Sequence, residues 1–217
     1  MKKLVVSIVS AAALATSGMA AAGGSTVAYD HHSDSNSNPA GIYVAGDLGY
    51  GTVNAVNSDY PVQPTSIKTG GFAWDANAGY QFNRYLAIEA GYISFGQAKA
   101  NYGTTGTLTS ALAGFDADVK GILPISNQFD LFAKAGAVDM HESLSGEPQA
   151  NKANGSAWTP MFGLGTSYNV NHNVALNLQD IYALKTSYSK TINGVSGTVH
   201  VPAGNAVLAG VSYKFSL

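Results

Sequence analysis

Eight times between Gly41 and Leu217 the chain alternates apolar and polar side chains with a period of two, and this rhythm limits the fold more than any other feature. A period of two is that of a β-strand, whose successive side chains point to opposite faces. The cleanest run sets Phe72, Trp74, Ala76, Ala78, Tyr80 and Phe82 against Ala73, Asp75, Asn77, Gly79 and Gln81. In the other seven, Ile42, Val44, Leu48 and Tyr50 oppose Tyr43 and Asp47; Leu86, Ile88, Ala90 and Tyr92 oppose Glu89 and Ile93; Phe115, Ala117, Val119 and Leu123 oppose Asp116, Asp118 and Lys120; Phe129, Leu131, Ala133, Ala135 and Ala137 oppose Asp130, Phe132 and Lys134; Trp158, Phe162, Leu164 and Tyr168 oppose Thr159 and Ser167; Val174, Leu176, Leu178 and Tyr182 oppose Asn177 and Gln179; and Val207, Val211, Tyr213, Phe215 and Leu217 oppose Gly210 and Lys214. With each phase set by apolar residues alone, the charges Asp47, Asp75, Glu89, Asp116, Asp118, Asp130, Lys120, Lys134 and Lys214 all fall on the polar face. Asp180 does not, which points to a strand end or a bulge there.

The connections alternate in length. Those over 52–70, 96–110, 139–155 and 185–204 are long, and those over 83–85, 124–128 and 169–173 are short. Long connections at one end and tight turns at the other are the habit of transmembrane barrels, and strands near ten residues suit a tilted crossing of the hydrocarbon layer. A bilayer offers no water to unpaired backbone groups, so such strands must close on themselves. The expected fold is an all-β, eight-stranded antiparallel up-and-down transmembrane barrel over 41–217.

The outward aromatics support the same picture. Tyr50, Phe72, Trp74, Tyr92, Trp158 and Tyr182 gather at the long-connection end, and Tyr80, Phe82, Phe129, Tyr168, Tyr213 and Phe215 at the turn end. These form two lipid-interface belts. A soluble barrel of lipocalin type shares the alternation but needs a charged exterior. Only 11% of this chain is charged, against about 25% for a typical soluble domain. That composition also argues against a basic nucleic-acid binder. With no cysteine, a disulfide framework and a thiolate site are excluded.

The first residues, MKKLVVSIVSAAALATSGMAAAGG, put two lysines before a short apolar stretch that ends in small residues. This is the pattern of a secretory signal over 1–22, cut after Ala20 or Ala22. Removing Lys2 and Lys3 leaves nine basic residues against 13 acidic ones. Residues 23–40 are polar and aperiodic, a flexible N-terminal segment in which His31, His32 and Asp34 are expected to be solvated rather than to bind metal.

The segments IYVAGDLGYG, AGYQFNRYLAIEAGYISFG, ADVKGILP, FDLFAKAGA, FGLGTSYNV and AGVSYKF together resemble the OmpA-like and opacity-type small outer-membrane barrels of Gram-negative bacteria, over 41–217. The resemblance implies residence in the bacterial outer membrane, contact with its lipids and lipopolysaccharide, and insertion by the outer-membrane assembly machinery. That machinery reads a terminal aromatic residue in such barrels, and here Phe215 is followed by Ser216 and Leu217. No peptidoglycan-binding domain is expected.

An eight-stranded barrel has room inside for little more than side chains. The inward charges therefore form either a plug with trapped water or a narrow cation-preferring pathway. His141 and Ser143 share a face in the manner of a nucleophile and its base, but the stretch HESLSGEPQANKANGS is expected to be loop, and no catalytic residue, cofactor or metal is assigned. The long polar connections are the natural place for host or surface ligands. The function expected is that of an envelope structural or adhesin-like surface barrel, with a small porin as the alternative and a lipid A-modifying enzyme as a distant third.

Overall fold

The computed structural model describes residues 40–54, 64–146, 155–192 and 195–215. The expected signal over 1–22, and the following segment as far as residue 39, lie outside the described residues. In chain order the strands are β1 (Gly41–Val53), β2 (Ser66–Lys68), β3 (Gly70–Asn83), β4 (Leu86–Asn101), β5 (Thr107–Pro124), β6 (Phe129–Gly146), β7 (Gly155–Asn169), β8 (Val174–Ala183), β9 (Thr186–Ile192), β10 (Val195–Val201) and β11 (Gly204–Lys214). Eight of them close a barrel in the order β4-β3-β1-β11-β8-β7-β6-β5, sealed by β4 against β5, with every pairing antiparallel. The short β2 is added to β4, and β9 pairs with β10 as a separate hairpin.

The cross-strand partners trace how far the strands tilt. From Tyr43 the path runs through Gly79, Glu89, Asp118, Gly136, Met161, Ala183 and Gly204, and it returns to β1 at Val53, ten residues further along. A stagger of this size forces a strong tilt, and it sets a diameter that side chains alone can fill.

The connections depart from the sequence expectation at the loop end. Instead of a loop over 96–110, β4 runs on to Asn101 and β5 begins at Thr107, leaving a tight link with one 3-10 turn at Gly103–Thr105. The register slips by one residue between Ser94 and Gly96, where Gly96 adopts φ +86°. This bulge exchanges the faces: Ile93 and Phe95 point inward before it, and Ala98 and Ala100 after it. In the same way β6 carries the segment His141–Gly146 as strand rather than loop, and Thr186–Ile192 pairs with Val195–Val201 as β9 and β10. Asp180 marks neither a strand end nor a bulge. The β8 register is unbroken on both sides, and Asp180 sits opposite Leu164 and Val207 on the outer face.

Candidate functional site

The lumen has two tiers. In the lower tier, toward the turns, Glu89 on β4 is the hub. Lys120 Nζ donates to its Oε1 at 3.0 Å, and Tyr43 Oη donates to the same oxygen at 2.5 Å. Lys134 Nζ lies 2.5 Å from Oε2, as an ion pair rather than an aligned hydrogen bond. Lys134 belongs to β6, so it reaches past β5 to find its partner. Lys120 also lies 4.3 Å from the centre of the Phe132 ring, whose face adds attraction for a cation. Tyr43 has room because its neighbour on β3 is Gly79, where a Cβ would overlap the phenol ring.

The other lower-tier carboxylates do not share this pairing. Asp75 Oδ2 accepts from Asn77 Nδ2 at 3.0 Å and from Gln179 Nε2 at 3.4 Å. One oxygen each of Asp47, Asp75, Asp116 and Asp118 has no hydrogen-bond partner among the described residues, although all four side chains are buried. Five buried carboxylates therefore face two buried lysines. Asp130 and Lys214 stand apart at the turn-end mouth, half-buried: Asp130 accepts from Asn169 Nδ2 at 2.7 Å, and Lys214 Nζ donates to Gln81 Oε1 at 3.0 Å.

The upper tier is apolar. Val53, Ile93, Phe95, Leu112, Met140 and Met161 pack together, none more than 1% exposed, with Val138, Ile181 and Leu208 beside them. Sequence reasoning missed this tier. Ile93 and Val138 were visible as apolar residues on or beside a polar face, while Leu112 and Met140 fell in or next to stretches assigned to loops.

The outer wall is apolar between two aromatic rows. At the loop end Tyr50, Phe72 and Trp158 are each at least 60% exposed, and Tyr92 stacks between Trp74 at 5.6 Å and Phe115 at 4.9 Å. Phe115 thus joins a row to which the sequence reading had not assigned it, and Tyr182 completes it on β8. At the turn end Tyr80 meets Phe82, Phe129 meets Tyr168 and Tyr213 meets Phe215, with ring centres 5.1–5.2 Å apart. Asp180 interrupts the wall two residues before Tyr182, with its Oδ1 accepting from Asn205 Nδ2 at 2.6 Å.

The two members of the candidate nucleophile–base pair are both exposed on the outer face of β6. His141 Nδ1 donates to the carbonyl of Asp139 at 3.0 Å rather than engaging Ser143, while Glu142, on the opposite face, accepts from Ser110 Oγ at 2.7 Å. No orienting carboxylate stands behind the imidazole among the described residues.

The profile of the OmpA-like transmembrane domain matches residues 37–217. An uncharacterized protein of Coxiella burnetii is 25% identical over 260 residues, covering 99% of this chain and 100% of that protein. Among solved structures, Neisserial surface protein A superposes with a TM-score of 0.51 at 17% identity, covering 80% of this chain and 97% of that one. The outer membrane protein OprG from Pseudomonas aeruginosa gives 0.49 at 15% identity, with 82% and 97% covered.

Proposed function

Because the chain belongs to the OmpA-like transmembrane domain family and is an outer-membrane barrel, we propose that it serves as an envelope structural and surface-interaction protein rather than as an open pore. The upper tier carries this reading. A conducting path would have to pass Phe95, Leu112, Met140 and Met161, which fill the lumen with apolar side chains and leave a permeating ion nothing to bind. Stripping an ion of water in such a constriction is strongly unfavourable. The strands that continue beyond the aromatic row then act as a stem that carries the loop end of the barrel out of the lipid, where surface or host ligands can be met.

In this reading residues 1–22 are the export signal, the closing strand β11 with Phe215 is what the assembly machinery grips, and neither His141 nor Ser143 performs catalysis. Planar-bilayer recording of the refolded chain tests the proposal. We expect a silent membrane, and discrete cation-selective steps would replace the reading with the porin alternative, for which the surplus of buried carboxylates would be the reason. A change in lipid A acyl chains on expression would instead restore the enzyme reading.

A further inference from the structure

We propose that a groove on the outer wall at the loop end holds the phosphate of a phosphorylated outer-leaflet glycolipid, with Lys68 and Lys99 as its cations. The inference rests on the outer-membrane location and is independent of the surface-interaction role.

Lys68 and Lys99 are direct cross-strand partners of β2 and β4. Partners in an antiparallel pair point to the same face with Cβ atoms about 5 Å apart, and like charges so placed repel. Both side chains are exposed, and neither forms an ion pair with a carboxylate among the described residues. The three residues of β2 pair with nothing but β4, so this small addition to the barrel sets one lysine opposite the other. An arrangement that repels itself when empty is relieved by an anion between the two ammonium groups.

The surroundings give that anion a lipid tail. Both lysines line a groove of about 450 Å³ whose floor includes Phe72 and Trp74 of the aromatic row, with Gln97 as a further polar group. The bulge makes the groove. Gly96 has φ +86°, a Cβ there would come 2.9 Å from the carbonyl oxygen of Phe72, and the shift in register is what turns Gln97 and Lys99 outward. Aromatic rows mark the level of the lipid headgroups. The lysines thus stand directly above that level with apolar rings beneath, which suits a phosphate on top of acyl chains better than a soluble sulfated polysaccharide.

The test uses the full chain, folded and delipidated in detergent. It is incubated with bis-phosphorylated lipid A or with the same lipid stripped of phosphate, and the retained lipid is counted by native mass spectrometry. Wild type should retain the phosphorylated form in preference. The K68Q/K99Q double variant, which loses only a repulsive exposed pair and should keep normal gel mobility, should reduce retention about 30-fold. K185Q, which removes another exposed loop-end cation, should not. As a second readout, W158F leaves Trp74 as the reporter, and its emission should be quenched more by brominated chains on lipid A than on phosphatidylcholine. Equal retention of the two lipids, undiminished retention by K68Q/K99Q, or an equal loss in K185Q would overturn the proposal. Heparin captured through these lysines while lipid A is not would also overturn it, in favour of a polysaccharide site.

Discussion

Replacing Lys134 with Met strips Glu89 of the cation at its Oε2 and leaves Lys120 to face five buried carboxylates alone. Lys134 is 5% exposed, so solvent cannot take its place. Two unit charges about 4 Å apart at an effective dielectric near 20 attract by about 4 kcal/mol. Breaking a buried pair from one side costs about 3–5 kcal/mol by mutational precedent, because the remaining charge stays buried. Both routes give the same size. The assay is urea unfolding of the protein folded in lipid vesicles, followed by tryptophan emission and by the gel shift of unboiled samples. With a slope of roughly 1–3 kcal/mol per molar urea, the midpoint should fall by about 1 M or more. Adding Glu89→Gln to Lys134→Met removes the stranded charge and should recover at least half of the loss. A Lys134→Met midpoint within about 0.3 M of wild type, which is roughly 1 kcal/mol or less at that slope, would refute the reasoning, as would a double variant less stable than the single one.

Asp180 and Asn205 should respond oppositely: Asp180→Leu removes a lipid-facing carboxylate and should be neutral or stabilising, whereas Asn205→Leu leaves that carboxylate without its donor and should cost about 1–3 kcal/mol in the same unfolding assay. Ala133→Arg puts a charge on the outer wall between the aromatic rows, opposite Leu164, and should cost about 2–4 kcal/mol, with a slower yield of the folded gel band. Gly96→Ala meets both the positive φ and the Phe72 carbonyl, so we expect a loss of about 1–2 kcal/mol together with altered Trp74 emission from the neighbouring strand.

The strand rhythm was legible wherever the wall meets lipid, because there the apolar side of each strand has one meaning, outward. Beyond the aromatic row the environment outside the barrel changes to water and the sense of the alternation inverts. Val138 and Met140 point inward and are buried, while His141 and Ser143 point outward and are exposed. A phase read from apolar residues loses its reference at that level, and stretches rich in Ser, Thr and Asn then look like loop although they pair. The bulge at Gly96 added a second reversal, which shows only in the paired strands as a positive φ and a slip in register. Within the lumen, the sequence placed Glu89 and Lys134 on inward faces but could not join them. They lie two strands apart, and their meeting depends on the curvature of the closed sheet rather than on nearest-neighbour register. Asp180 looked anomalous for a related reason: its satisfaction comes from Asn205 on β11, a partner that only the strand pairing identifies.

The two-tier lumen also divides the electrical thickness of the membrane. The Glu89 cluster is itself buried, and Phe95, Leu112 and Met140 form an insulating layer above it. A voltage applied across the membrane falls more steeply over that low-dielectric layer than over the polarisable charges below. The cluster therefore holds its charge without carrying current, and the lumen behaves as a capacitor rather than as a resistor.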